Sequence, residues 1–194
     1  MGTRNLTAVF LDGEYKVAQY GQWDGYPSGQ GLTCLEFLED LRLPGHRNRF
    51  VENLRKCRWI TEKEIDNIKA RISSGVIAEW QDVYPELSRG TAAKILQMVY
   101  DHPEGMVLKN DVSFAADSLF CEWAYVIDLD QNRFEVYKGF NNMPTDETDR
   151  FHQLEAIGEA NAFGKERYYC VTMLAAYPMD ELPDRDTFLT LDSE

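Results

Sequence analysis

Two segments of the chain have the pattern of a β-hairpin, in which stretches rich in β-forming residues flank a tight turn. Asp12-Gly13 is a strong two-residue turn signal for the first hairpin, and residues 130–132 supply the second turn. A further stretch, 167–175, predicts one more strand. The strands predicted for the two hairpins cover 3–12, 14–20, 120–129 and 133–139.

Helices are predicted where apolar residues recur every three or four positions, which is the spacing of an amphipathic helix. Thr61 and Glu64 form a capping box at the start of one helix, and Ser88 is expected to cap another. We also expect a short helix over 151–162. The longer predicted helices cover 32–42, 47–57, 62–73 and 89–101.

The grouping of the strands indicates the fold class. Strands that occur as hairpins pair antiparallel, whereas a doubly wound parallel sheet needs strands that alternate singly with helices. We therefore expect an α+β fold with a mainly antiparallel sheet of about five strands, built from two hairpins and packed with helices. The length of 194 residues fits one domain, which we place at 1–179. The acidic segment 180–194 is expected to be a loose tail.

The charge balance disfavours one class of partner. The chain has 33 acidic and 20 basic residues, and its formal net charge is -13. Such a surface repels phosphate backbones, so we expect no nucleic-acid partner. The densest basic stretch is either a solvated helical face that balances nearby acids or a patch that binds phosphates or acids. Its members are Arg42, His46, Arg47, Arg49, Arg55, Lys56 and Arg58.

Several common signals are missing from the sequence. No stretch approaches the roughly 20 apolar residues of a membrane span, and the first residues lack the pattern of a secretory signal. We therefore expect a cytoplasmic protein without membrane association. There is no dinucleotide or P-loop motif, and the three histidines lie far apart, so we predict no cofactor and no metal site. The four cysteines form no C-x-x-C pair and are expected to be reduced thiols, mostly buried.

The segment 21–31 combines glycines with aromatic and polar side chains at the end of a predicted strand. Glycine permits close backbone approaches, and Trp and Tyr offer stacking faces with polar tips. This composition favours a small-ligand pocket whose walls are Trp23 and Tyr26. The alternative is a packed Ω-like loop whose aromatic side chains plug the end of the sheet. The residues predicted to bind a ligand are Arg4, Tyr20, Gln22, Trp23, Asp24, Tyr26 and Glu122.

A second candidate segment, 117–123, places a carboxylate, a hydroxyl and a thiol close together in sequence. Cys121 could act as a nucleophile only with a base beside it, usually a histidine, and the sequence places none there. The alternative is a buried structural thiol. If Glu122 is buried, it needs a partner such as Arg4.

Two parts of the chain, TRNLT…AQYGQWDGYPSGQG and FCEWAYVIDLD, resemble a family of small uncharacterised microbial and viral proteins. More distantly, the first hairpin resembles the start of an N-terminal nucleophile hydrolase. That resemblance implies a catalytic Cys, Ser or Thr at the first position of the mature chain, with its own amine as the base. Here removal of Met1 would expose Gly2, so Thr3 could serve only after a further cut.

Two functions follow as hypotheses. The first is a binding protein for a small molecule or a protein partner, with the 20–30 loop or the acidic surface as its site. The second is an amide-type hydrolase, for which Asp24, Thr3 and Cys121 are the catalytic candidates. In the enzyme, Asp24 would orient the substrate or act as acid or base, and Arg4 would hold an anionic group. The sequence does not indicate the oligomeric state.

Overall fold

A computed structural model of the chain describes residues 2–156 and 167–193. The strands are β1 (Asn5–Leu11), β2 (Glu14–Gly21), β3 (Arg58–Trp59), β4 (Val107–Leu108), β5 (Trp123–Asp128), β6 (Arg133–Lys138) and β7 (Thr172–Pro178). The α-helices are α1 (Leu32–Leu41), α2 (His46–Lys56), α3 (Glu62–Ser73), α4 (Lys94–Asp101) and α5 (Arg185–Leu189). No helix in these two described stretches is long and apolar enough to cross a membrane.

The main sheet contains five strands in the order β2-β1-β5-β6-β7. The pairs β2–β1, β5–β6 and β6–β7 are antiparallel, and the central pair β1–β5 is parallel. In that central pair Leu6 lies opposite Ala124, and Ala8 lies opposite Val126. The predicted α+β class with a mainly antiparallel sheet is therefore confirmed, with one parallel pair joining the two antiparallel parts.

Both faces of the sheet are buried, which explains why the residues of its central strands are mostly apolar on either face. One face packs against α1, α2, α4 and α5, where Phe50, Leu54, Ile95 and Phe188 are inaccessible to solvent. The opposite face packs against irregular chain, including the 3₁₀ helix Val112–Ala116. The sheet thus separates a helical layer from a layer made mostly of loops.

One local prediction is confirmed in the structure, and three others change in their bounds or in the type of helix. The capping box is confirmed: Glu64 N donates to Thr61 Oγ1 (3.3 Å), and Thr61 N donates to Glu64 Oε2 (2.9 Å). Helix α4 begins at Lys94 rather than at 89, because turns occupy the chain around Gly90. The last strand is Thr172–Pro178 rather than 167–175. The helix predicted over 151–162 is a 3₁₀ helix where the chain is described, at His152–Ala156, and its remainder lies outside the described residues.

The C-terminal segment is packed on the core, contrary to the expectation of a loose tail. Helix α5 begins after Asp184, whose carboxylate accepts a hydrogen bond from Thr187 N (2.8 Å). Phe188 is fully buried, and its ring stacks on Phe134 with 5.9 Å between the centroids. Leu191 is also buried. The acidic composition indicated solvation, but two apolar side chains in it supply enough buried surface to hold the segment.

A buried ion network ties the loop layer to the sheet. The Arg150 guanidinium donates to Glu135 from Nε (2.8 Å) and Nη2 (3.1 Å), and Nη2 also bonds Asp128. The two carboxylates are almost inaccessible to solvent. Tyr137 donates its hydroxyl to Glu135 (2.9 Å), and the Phe10 ring lies 5.0 Å from the guanidinium. Arg150 therefore compensates two buried negative charges at once.

We expect Arg150→Met to lower the free energy of unfolding by about 3–5 kcal/mol, because it leaves the buried Asp128 without a cation and Glu135 with only the more distant Arg133. The measurement is urea unfolding followed by circular dichroism. The matched control is Arg133→Met, since Arg133 is partly exposed and lies 3.9 Å from Glu135; its loss should cost under about 1 kcal/mol. Equal losses for the two variants would contradict this account.

Candidate functional site

The loop that joins β2 to α1 is held by main-chain hydrogen bonds to distant parts of the chain. Gly25 N donates to Thr3 O (3.0 Å), and Gln22 N donates to Arg89 O (2.9 Å). A Cβ atom at Gly25 would lie 2.8 Å from Thr3 O, so the close approach of these two backbone segments requires glycine. The loop is therefore clamped between the start of β1 and the chain that precedes α4.

Two side chains from the sheet, and one from the loop itself, donate hydrogen bonds to the loop backbone. The carbonyl of Trp23 accepts hydrogen bonds from Asn5 Nδ2 and Gln30 Nε2, both at 3.3 Å. The carbonyl of Gly25 accepts from the fully buried Tyr125 hydroxyl at 2.7 Å. Sequence reasoning missed Asn5 and Tyr125, because each lies inside a strand and only the folded sheet brings it beneath the loop.

The clamped loop presents its largest side chains to solvent. Trp23 and Tyr26 are each 50% exposed, and Asp24 between them is also exposed. Asp24 has φ +56°, a left-handed conformation that aspartate tolerates better than most residues. Pro27 begins a π-helical turn, Pro27–Gly31, and is buried. We call Trp23, Asp24 and Tyr26 the aromatic surface.

A partly buried ion pair lies beside this loop, where β1 and β5 begin. Arg4 N donates to Glu122 Oε1 (3.2 Å), and Arg4 Nε lies 4.0 Å from the same oxygen. The Arg4 guanidinium also lies over the Phe120 ring, 4.4 Å from its centroid. Glu122 thus has the partner that its partial burial requires, as the sequence led us to expect.

Tyr20 and Gln22, together with Arg4 and Glu122, form a polar group at the strand ends, separate from the aromatic surface. The Tyr20 hydroxyl donates to Gln22 Oε1 (2.7 Å), and its ring meets Phe114 edge to face, with 4.9 Å between the centroids. Burial raises the pKa of Tyr20, while the positive charges of Arg4 and Arg89 act in the opposite direction. The predicted binding residues therefore form two groups, a polar one at the strand ends and an exposed aromatic one.

The candidate nucleophiles lie in protected positions. Cys121 is fully buried, and burial together with the negative charges of Asp117 and Glu122 raises its pKa well above the ordinary thiol value. Its sulfur therefore stays protonated near neutral pH, whereas a nucleophilic cysteine reacts as the thiolate. Thr3 is 6% exposed, and the ring of Trp23 packs against Gly2, the residue before it.

Four of the cavities on the described part of the chain have volumes of about 150 to 450 Å³, and these four are lined by residues outside the loop. Among the described residues, no three His, Cys, Asp or Glu side chains come close enough to hold a metal ion. At the loop itself, the exposed Trp23, Asp24 and Tyr26 offer hydrogen-bonding and stacking groups to solvent.

Comparison of the chain with protein-family models, with curated proteins and with solved structures gave no match. The geometry of the site therefore carries the functional argument.

Tyr125→Phe should lower the free energy of unfolding by about 1–3 kcal/mol, because it leaves the Gly25 carbonyl buried without its donor. We also expect faster amide hydrogen exchange in residues 25–31. Urea unfolding and hydrogen exchange read by mass spectrometry test both effects. Tyr26→Phe, which removes an exposed hydroxyl, is the control and should change neither; a Tyr125→Phe variant as stable as wild type would show that the hydroxyl does not hold the loop.

Iodoacetamide at pH 7.5 should label the partly exposed Cys57 before the three buried cysteines, Cys34, Cys121 and Cys170. Burial raises the pKa of all three of Cys57, Cys34 and Cys121, that of Cys34 to about 12, but only Cys57 is accessible, so neither Cys34 nor Cys121 is expected to react before urea exposes it. Peptide mass spectrometry identifies the labelled sites, and Cys57→Ser provides the reference for the first site. Rapid labelling of Cys121 in the folded protein would instead favour its role as a nucleophile.

Proposed function

We propose that this protein binds a protein partner through the aromatic surface of Trp23, Asp24 and Tyr26. The observation that carries the proposal is the 50% exposure of both Trp23 and Tyr26 on a backbone clamped by buried groups. Trp and Tyr are enriched among the residues that contribute most to protein–protein affinity. A rigid loop also loses little conformational entropy on binding, so the aromatic side chains act as prepared anchors.

The shape of the loop favours a protein over a small molecule. Small-molecule sites are concave and enclose most of the ligand, whereas these side chains project into solvent. The polar group of Arg4, Tyr20, Gln22 and Glu122 is largely occupied by its own contacts. A flat or slightly recessed partner surface can cover two half-exposed rings without a cavity in this chain.

The charge around the loop indicates what the partner presents. Asp24 is exposed between the two rings, and Asp192 lies beside the loop, accepting a hydrogen bond from Ser28 N (3.2 Å). A lysine or arginine on the partner could face these carboxylates and also stack on Trp23 through a cation–π contact. The net charge of -13 would add long-range attraction toward a basic surface.

The experiment places a photo-crosslinking phenylalanine analogue at Tyr26 and irradiates cells that express the full chain. We expect one discrete cross-linked protein from position 26. The matched control carries the same analogue at Phe140, which is 54% exposed and lies outside the aromatic surface. Identical cross-links from the two positions would contradict a specific surface at the loop.

The cross-linked protein is then purified and titrated against wild type and Trp23→Ala. Removal of an interface anchor should weaken binding by about thirty-fold, which corresponds to roughly 2 kcal/mol. Asp24→Asn should weaken binding mainly at low salt, because it removes an exposed charge. Unchanged affinity for Trp23→Ala and Tyr26→Ala, with both variants folded, would refute the aromatic surface as the site.

The hydrolase hypothesis requires two features that the described residues do not provide. Thr3 would need a cut that frees its amine, and Asp24 would need a nucleophile within hydrogen-bonding distance. The intact mass of the protein purified from its own cells tests the first requirement, because a chain that begins at Thr3 would favour the enzyme.

A further inference from the structure

Two arginines of the basic stretch identified in the sequence pair with acids in the fold. Arg55 pairs with Asp12 through Nε (2.9 Å), and Arg58 pairs with Glu64 through Nη2 (2.7 Å). Both acids lie outside the stretch, so these two ion pairs depend on the folded chain. These two pairs fit the solvated face that was one interpretation of the sequence.

The three other arginines of the stretch form no ion pair with a described residue: Arg49 lies over the Tyr100 ring, while Arg42 and Arg47 lie elsewhere. The Arg47 guanidinium donates to Leu129 O (3.0 Å) and to Asn132 Oδ1, which are both uncharged acceptors. The Arg42 guanidinium is exposed and has no hydrogen bond or ion pair with any part of the chain that the structure describes. Each arginine therefore keeps an available positive charge in a strongly acidic protein.

Arg42 and Arg47 both line one cavity of about 370 Å³, between the end of α1, the start of α2 and the chain after β7. This volume lies in the range of roughly 300–1,000 Å³ typical of small-molecule sites. The rest of the lining is mostly aliphatic, without an aromatic ring. The aliphatic residues are Leu38, Leu41, Leu43, Pro44 and Met179.

One carboxylate, Asp180, also lines the cavity, and it accepts a hydrogen bond from Asn132 Nδ2 (2.8 Å). Two guanidinium groups against one carboxylate leave the cavity locally positive. Leu43, 51% exposed, adds an apolar side chain at its edge that the fold leaves uncovered. The cavity thus combines an aliphatic wall with excess positive charge.

We infer that this cavity binds a small aliphatic carboxylate, with its hydrocarbon tail along Leu43 and Pro44 and its carboxylate facing Arg42 and Arg47. Guanidinium groups match a carboxylate in both charge and hydrogen-bonding geometry. An aliphatic tail gains from leaving water, and Leu43 and Pro44 are the exposed apolar side chains of the lining that it can cover. The site does not include the aromatic surface, so it is independent of the proposed function.

Isothermal titration calorimetry of the full chain with straight-chain carboxylates tests the inference. Affinity should rise from butyrate through hexanoate to octanoate by about two- to four-fold per methylene, the upper value being roughly 0.8 kcal/mol per buried CH₂. Octylamine, which has the same tail and a positive head, should bind more weakly than octanoate. No measurable binding of octanoate at millimolar concentration, or equal binding of octylamine, would overturn the inference.

Variants distinguish octanoate binding in this cavity from a general effect of the protein's charge on affinity. Arg42→Gln should weaken octanoate binding about five-fold, equivalent to roughly 1 kcal/mol at an exposed ion pair. The matched control is Arg49→Gln, which makes the same charge change in the same stretch but lies over Tyr100, away from the cavity. Equal weakening in the two variants would overturn the site.

Leu43→Glu provides a second variant that should fold, because Leu43 is exposed. The added carboxylate would repel the ligand head at the cavity edge, so octanoate affinity should fall at least as far as in Arg42→Gln. Unchanged affinity in both variants, with their thermal unfolding as in wild type, would place octanoate elsewhere on the protein and overturn the proposal.

Discussion

The parallel pairing of β1 with β5 is the constraint on which the rest of the structure depends. It joins the antiparallel pair β2–β1 to the antiparallel strands β5, β6 and β7 across more than a hundred residues. Because the two strands run the same way, both begin at one edge of the sheet. Strand β2, antiparallel to β1, ends at that edge as well, so the ion pair of Arg4 with Glu122 and the loop after β2 become neighbours.

This arrangement explains how a glycine-rich loop can be rigid while its side chains are exposed. Buried backbone carbonyls need donors, and the sheet supplies them from Asn5 and Tyr125. Once those bonds and the Gly25–Thr3 contact are made, the loop backbone has little freedom, and Trp23 and Tyr26 are left facing solvent. The same contacts therefore stabilise the fold and create the aromatic surface.

The arginines of this chain have different structural roles because their surroundings differ. Arg150 is buried between two carboxylates and fastens the loop layer to the sheet, while Arg55 and Arg58 pair with acids at the surface. Arg42 and Arg47 instead face an aliphatic cavity. Desolvation makes the first arrangement costly to break, whereas solvent weakens the surface pairs.

The sequence by itself determined the hairpin turn at Asp12-Gly13, the capping box of Thr61 with Glu64 and the α+β class, because these depend on local conformational preferences and on periodicity. It also singled out Trp23 and Tyr26 and suggested the pairing of Glu122 with Arg4. Only the tertiary structure decided that β1 and β5 pair in parallel, that Asn5 and Tyr125 hold the loop, and that Phe188 anchors the acidic C-terminal segment. These contacts join residues far apart in the chain, and their free energy comes from burial and hydrogen bonding that no local pattern encodes.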